Sequence, residues 1–93
     1  MAERYGLSVQ ELTPMLAESF SYDAAEGILV SDVRKGSQAQ KDGIKQGDIL
    51  IQIGTEVISD EITLNRVLAK GKAPAQAKVF RNGKVRTITI HFE

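Results

Sequence analysis

The stretch that decides the fold is Val33–Ile53, VRKGSQAQKDGIKQGDILIQI, because it places two turns, a short helix and a strand in one run. Ser37 can cap a helix predicted over 38–41, and Gly43 can adopt the left-handed conformation that ends it. Gly47, followed by aspartate, predicts a second turn. The β-branched residues after this turn predict a buried strand. The run therefore predicts a compact strand-turn-helix-turn-strand unit.

The spacing Gly-Ser-x-Ala-x-x-x-Gly-Ile-x-x-Gly-Asp-x-Leu in this run resembles the signature of PDZ domains. The resemblance implies an α+β fold, a small, partly open antiparallel β-barrel or sandwich of five to six strands with two to three short helices. Most of these residues serve backbone angles or the core, and Asp48 is expected to bind backbone amides of its own turn. Functional residues must therefore lie elsewhere. The matching residues are Gly36, Ser37, Ala39, Gly43, Ile44, Gly47, Asp48 and Leu50.

Length and composition indicate one domain, 1–93, in which residues 1–3 are expected to be a disordered start or a cloning remnant. A chain of 93 residues buries about 60 to 65 per cent of its unfolded surface.

The absence of cysteine excludes disulfides and thiolate chemistry. A net charge of zero argues against a nucleic-acid binder. No run has the length of a membrane span, so direct membrane insertion is not expected. No signal peptide is recognised, so an exported parent would imply an excised module.

Charge is unevenly distributed along the chain, because acidic residues dominate the first two thirds and basic residues the last third. The simplest interpretation is that the basic strands approach acidic segments in the fold. An acidic partner is the alternative.

The segment Arg4-Tyr5-Gly6-Leu7 resembles the x-apolar-Gly-apolar loop with which PDZ domains bind a free peptide carboxylate. In that loop successive backbone amides donate to the carboxylate, and glycine allows the backbone to come close. The resemblance implies the same role here for Arg4, Tyr5, Gly6 and Leu7. Alternatively, Gly6 merely begins a strand. Arg4 either adds an ionic contact to the carboxylate or remains solvated.

A peptide groove is expected between a strand over Leu7–Leu12 and a helix over Glu61–Lys70. A peptide would pair in antiparallel fashion with the strand. An off-by-one helix register would place Asp60 and Leu64 in the groove instead. The resemblance assigns Ser8, Val9 and Gln10 to the groove strand, and Glu61, Asn65 and Leu68 to the groove helix.

An apolar pocket for the terminal side chain of the peptide is expected within this groove. Its candidate walls favour C-terminal Val, Leu, Ile, Ala or Phe. Many animal PDZ domains that prefer Ser or Thr two residues before the terminus carry His where Glu61 stands, so that preference is not implied. The candidate walls are Tyr5, Leu7, Val9 and Leu68.

The segment Leu12–Glu18, Leu-Thr-Pro-Met-Leu-Ala-Glu, resembles the insert after the first strand in PDZ domains of HtrA (Do-like) serine proteases. Thr13 and the following proline predict a helix start. Leu16 and Phe20 share a face and are expected in the core. The groove strand comes first and a hairpin turning at Asn82-Gly83 comes last, an order typical of the circularly permuted bacterial type.

Three function classes follow. The first is a non-catalytic module that binds C-terminal or unfolded-protein peptides. By resemblance it would be a substrate-recruiting or regulatory domain beside the protease domain of a Do-like serine protease, and this parent protein would lie in the periplasm or cell envelope. The second is a scaffold domain of a secretion or protease complex that binds an internal segment. The third is an enzyme, but the sequence contains no set of residues that could form a catalytic site. No catalytic residue, metal ligand set or cofactor is expected, and the lone His91 is predicted to point to the polar side of its strand.

Overall fold

The fold is a single antiparallel sheet flanked by helices, in a computed structural model that describes residues 2–22 and 26–92. The strands run in the order β1-β2-β3-β5-β6, and β4 pairs with the end of β3. This confirms the predicted α+β fold with up to six strands; the described residues contain one helix more than predicted. The elements are α1 (Ala2–Tyr5), β1 (Leu7–Glu11), α2 (Pro14–Ser19), β2 (Ile28–Val33), α3 (Gln38–Asp42), β3 (Ile49–Ile53), β4 (Glu56–Val57), α4 (Glu61–Lys70), β5 (Ala75–Arg81) and β6 (Lys84–Ile90).

Local sequence signals explain the turns of the fold. The Ser37 side chain accepts a hydrogen bond from the Gln40 amide at 3.2 Å and so begins α3. Gly43, at φ +96°, ends that helix in the left-handed region. Asn82 and Gly83 both have positive φ in the two-residue hairpin between β5 and β6. All three predictions are confirmed.

The start of the chain differs from the prediction. The segment 4–7 was expected to form a loop, but Arg4 and Tyr5 belong to the short helix α1, Ala2–Tyr5. That residues 1–3 are a disordered start or a cloning remnant stays a prediction. Alanine, glutamate and arginine are good helix formers, and α1 packs against α4. Gly6, at φ +111°, then turns the chain into β1. Met1 lies outside the described residues.

Two clusters of buried side chains lie on opposite faces of the sheet. The main cluster joins the sheet to α3 and α4. The second cluster is smaller and lies under α2, where Leu16 packs against it as predicted. Phe20, expected in the core, is 36% exposed, because it follows the last residue of α2 as its C-cap. The buried members of the second cluster are Tyr22, Leu29 and Ile49.

A buried ion pair connects the turn before β3 to the end of β5. Arg81 donates from Nε to Asp48 Oδ1 at 2.7 Å and from a terminal guanidinium nitrogen to Asp48 Oδ2 at 2.5 Å. Asp48 also accepts from the Lys45 amide at 2.9 Å, as its turn predicted. The hydrogen bond to Asp48 raises the pKa of Arg81 above its usual value. Here a basic strand approaches an acidic earlier segment, as the charge distribution predicted.

Candidate functional site

β1 lies at one end of the sheet order, with β2 as its strand partner. Its pairing is antiparallel, and the register shifts between Ser8 and Val9, where the strand is irregular. Leu7 is buried and Val9 is half-buried, whereas Ser8 and Gln10 are exposed. The edge of β1 opposite β2 is therefore where an added strand can form main-chain hydrogen bonds.

Helix α4 lies beside this strand. The helix begins at Glu61, and its Leu64 and Leu68 side chains are buried. The buried face of α4 lies between two flanks. On one flank, Val67 lines a cavity together with Phe92. Residues three and four apart share a flank. The predicted set Glu61, Asn65 and Leu68 therefore lies on the other flank, with Glu61 exposed, Asn65 half-buried and Leu68 buried.

The alternative register of α4 meets two obstacles. Asp60 is the N-cap of the helix and accepts a hydrogen bond from the Thr63 amide at 2.7 Å. This bond lowers the pKa of Asp60 below its usual value. Leu64 is fully buried in the main core cluster. The geometry thus favours Glu61 and Asn65 over Asp60 and Leu64 as groove residues.

The predicted carboxylate-binding segment is a helix end, a turn and a strand start. Arg4, which is exposed, and Tyr5 end α1, Gly6 forms the turn, and Leu7 begins β1. The Gly6 carbonyl accepts a hydrogen bond from the Arg34 amide at 2.8 Å. A Cβ atom added to Gly6 would lie 2.2 Å from Cβ of Ser37. The turn is therefore in direct contact with Ser37, the N-cap of α3.

The Tyr5 side chain is tied to the far end of α3. Tyr5 is buried, and its hydroxyl donates to Asp42 Oδ2 at 2.6 Å. Asp42 also accepts from Gln38 Nε2 at 2.9 Å, from the His91 amide at 2.9 Å and from His91 Nδ1 at 2.7 Å. Burial of the Asp42 carboxylate acts to raise its pKa, but the hydrogen bonds from Tyr5, His91 and Gln38 outweigh burial and lower the pKa below its usual value. Asp42 is therefore an ionised acceptor at neutral pH.

The structure places the predicted pocket walls in the main core cluster or against it. Tyr5, Leu7 and Leu68 are buried members of the main cluster, and Val9 packs against it. No sequence signal indicates Asp42 or a structural role of His91, because Asp42 lies 37 positions after Tyr5 and His91 lies 49 positions after Asp42. His91 was predicted to point to the polar side, and it is half exposed while bonding Asp42.

Within 2–22 and 26–92, no group of three or more His, Asp or Glu side chains is arranged to hold a metal ion. No helix in that part of the chain has both the length and the apolar character needed to cross a membrane.

The family model of the PDZ domain matches residues 4–92 of this chain. A probable periplasmic serine endoprotease, DegP-like, from Marinomonas sp. (strain MWYL1) is 37% identical over 90 residues, which are 95% of this chain and 19% of that protein. The corresponding protein of Halomonas elongata is 29% identical over 87 residues, 91% of this chain and 18% of that protein. The chain thus spans about a fifth of the length of these relatives.

Solved structures give similar matches. The HtrA3 PDZ domain bound to a phage-derived ligand, FGRWV, has a TM-score of 0.78 and 25% identity, over 91% of this chain and 79% of that chain. The HtrA-type protease AlgW with a decapeptide has a TM-score of 0.76 and 31% identity, over 92% of this chain and 27% of that chain.

Proposed function

This chain belongs to the PDZ domain family, and we propose that it is a non-catalytic module that binds C-terminal or extended peptides between β1 and α4. The peptide adds to β1 as an antiparallel strand. In the full-length protein the module recruits substrates or regulates a DegP-like serine protease domain.

The observation that carries the proposal is the position of β1. It is an edge strand of the sheet, and α4 lies beside it. An added strand gains main-chain hydrogen bonds that do not depend on its sequence, while pockets for alternate side chains supply specificity. The flank of α4 that carries Asn65 and Leu68 supplies the second wall of the groove.

The turn at Gly6 supports recognition of a free carboxylate. Gly6 has φ +111° and no side chain, so the chain can turn sharply here while Ser37 fills the space where a Cβ would lie. A carboxylate that accepts two or three amide hydrogen bonds gains about 1.5 to 3 kcal/mol from each. In the proposed complex the amides of Tyr5, Gly6 and Leu7 are the donors, and Arg4 lies next to them on the exposed side.

The apolar walls beside this turn support a preference for an apolar terminal side chain. Tyr5, Leu7, Val9 and Leu68 all contribute to the main core cluster or pack on it. The phage-derived ligand of the HtrA3 PDZ domain, FGRWV, ends in valine. A short flexible peptide must be ordered when it docks, so we expect micromolar dissociation constants, about −7 to −8 kcal/mol.

The parent protein is inferred from the relatives. They are named periplasmic serine endoproteases, and this supports a periplasmic location for the parent. The domain itself has no cysteine, and its single histidine is bonded to the structural carboxylate of Asp42. Peptide binding, without bond cleavage, is therefore the proposed role of residues 4–92.

The test is an NMR titration of the domain with FGRWV as the free acid, with the same peptide amidated, and with FGRWD as a control for the apolar pocket. We expect only the free acid of FGRWV to shift the amides of Tyr5, Gly6 and Leu7 together with those of α4 at micromolar to low millimolar concentration. Equal shifts from the free acid and the amide would instead support the alternative, a scaffold domain that binds internal segments. Shifts that avoid both β1 and α4 would refute the proposed groove.

A further inference from the structure

We propose that Asp42 is a positioning residue for peptide binding: through the Tyr5 hydroxyl it holds the carboxylate-binding turn at Gly6 in place. This inference rests on the proposed function and deepens it. Asp42 lies at the end of α3, outside the groove between β1 and α4, so it acts on the peptide only through the turn.

The hydrogen bonds of Asp42 form a fixed anchor. Oδ2 accepts from the Tyr5 hydroxyl and from the His91 amide, and Oδ1 accepts from Gln38 Nε2 and from His91 Nδ1. The Asp42 side chain is only 2% exposed. An ionised carboxylate with donors on both oxygens is held from several directions, and charge-assisted bonds of this kind are about twice as strong as neutral ones.

The anchor acts on the turn because Tyr5 immediately precedes Gly6. The Tyr5 ring is buried and its hydroxyl is fixed 2.6 Å from Asp42. Asp42 lies at the end of α3, and at the start of α3 the N-cap Ser37 is in close contact with Gly6. The two ends of α3 therefore hold two successive residues, because Asp42 bonds Tyr5 and Ser37 contacts Gly6. Together these contacts define the direction of the amides that would donate to the carboxylate.

A preorganised turn binds a ligand more tightly than one that must be ordered on binding. Loss of the Tyr5 hydroxyl leaves the ring in the core but removes the bond that fixes its outer end. We therefore expect Tyr5→Phe to weaken binding of a free carboxylate by about 3- to 10-fold, the equivalent of one ordinary hydrogen bond.

The chain offers a matched control in Gln38→Ala. Each variant removes one of the four donors to Asp42, and each leaves one His91 bond on the affected oxygen. Gln38 is part of α3 itself, so its loss does not release the turn. Both variants are expected to lower the urea midpoint by similar amounts, whereas only Tyr5→Phe should weaken binding of FGRWV and shift the free-state amide signals of Gly6 and Leu7.

The readout is the affinity ratio of FGRWV over its amidated form, measured for wild type, Tyr5→Phe and Gln38→Ala. If wild type shows no preference for the free acid, the proposed function fails. If wild type shows the preference and both variants keep it, or both lose it equally, the proposal for Asp42 is overturned.

The double variant Tyr5→Phe/Asp42→Ala gives a second test. If the hydroxyl acts through Asp42, adding Tyr5→Phe to Asp42→Ala causes no further loss of affinity. A further loss of several fold would show that the hydroxyl acts without Asp42 and would overturn the proposal. Should Asp42→Ala fail to fold, the comparison of Tyr5→Phe with Gln38→Ala still decides.

Discussion

Replacing Gly6 by alanine is expected to destabilise the domain by about 3 kcal/mol, from two sources. Gly6 has φ +111°, and an L-residue held at positive φ is strained by about 1 to 2 kcal/mol. The new Cβ would also lie 2.2 Å from Cβ and 2.3 Å from Oγ of Ser37. Displacing Ser37 disturbs the N-cap of α3, which is worth about 1 to 2 kcal/mol.

Gly36→Ala is the matched control. Gly36 also has positive φ, +79°, but an added Cβ would meet no atom within 4 Å. Its substitution therefore carries only the backbone strain, about 1 to 2 kcal/mol. The difference between the two variants isolates the contact between Gly6 and Ser37.

A double variant tests the contact between Gly6 and Ser37 directly. Ser37→Gly removes both atoms that a Cβ on Gly6 would strike, and glycine at an N-cap is only a few tenths of a kcal/mol worse than serine. Gly6→Ala/Ser37→Gly should therefore recover about 1 to 2 kcal/mol relative to the sum of the single variants. The assay is urea unfolding followed by circular dichroism, with free energies from linear extrapolation. Equal losses for Gly6→Ala and Gly36→Ala, with additive behaviour of the double variant, would refute the close contact.

Two other substitutions test the charged groups. Arg81→Met should lower the free energy of unfolding by about 3 kcal/mol, because it leaves the buried Asp48 carboxylate without its counter-charge. Arg66→Met breaks the half-exposed pair with Glu56 at 3.6 Å and should lower it by less than about 1 kcal/mol in the same unfolding assay. Similar losses for the two variants would contradict the assignment of a buried pair. The pKa of Asp42 is lowered in the folded state, so its ionised form stabilises the fold at pH values above the ordinary carboxyl pKa of about 3.9, and this stabilisation is lost as the pH falls through the lowered pKa. The difference in unfolding free energy between wild type and Asp42→Asn should therefore shrink as the pH falls from about 5 to below about 4, and a difference that grows over this acidic range would contradict the lowered pKa of Asp42.

Features that depend on neighbouring residues could be predicted from the sequence. The cap at Ser37, the left-handed Gly43 and the Asn82-Gly83 hairpin each follow from one or two residues and their immediate neighbours. The groove strand and helix follow from alternation and helical spacing together with a resemblance. Helix α1 was missed because four residues cannot form a stable isolated helix, and its stability depends on packing against α4.

The long-range polar contacts could not be predicted. Nothing near Tyr5 indicates that its hydroxyl bonds Asp42, and nothing near His91 indicates the same partner. Arg81 stands beside a hairpin turn, where a basic residue is usually solvated, yet it is paired with Asp48. Such contacts depend on where the strands end in space, and the sequence pattern of a single element does not contain that information.

Among the described residues, the outer strands β1 and β6 each have one side without a strand partner, and such edges are where identical folded proteins aggregate. At β1 the neighbouring helix α4 lies beside the strand and so hinders the approach of the edge of a second sheet. At β6, exposed Lys84 and Arg86 place like charges along the strand, so two copies that approach edge to edge repel each other. A helix beside one edge strand and like charges along the other therefore both protect the domain against uncontrolled self-association.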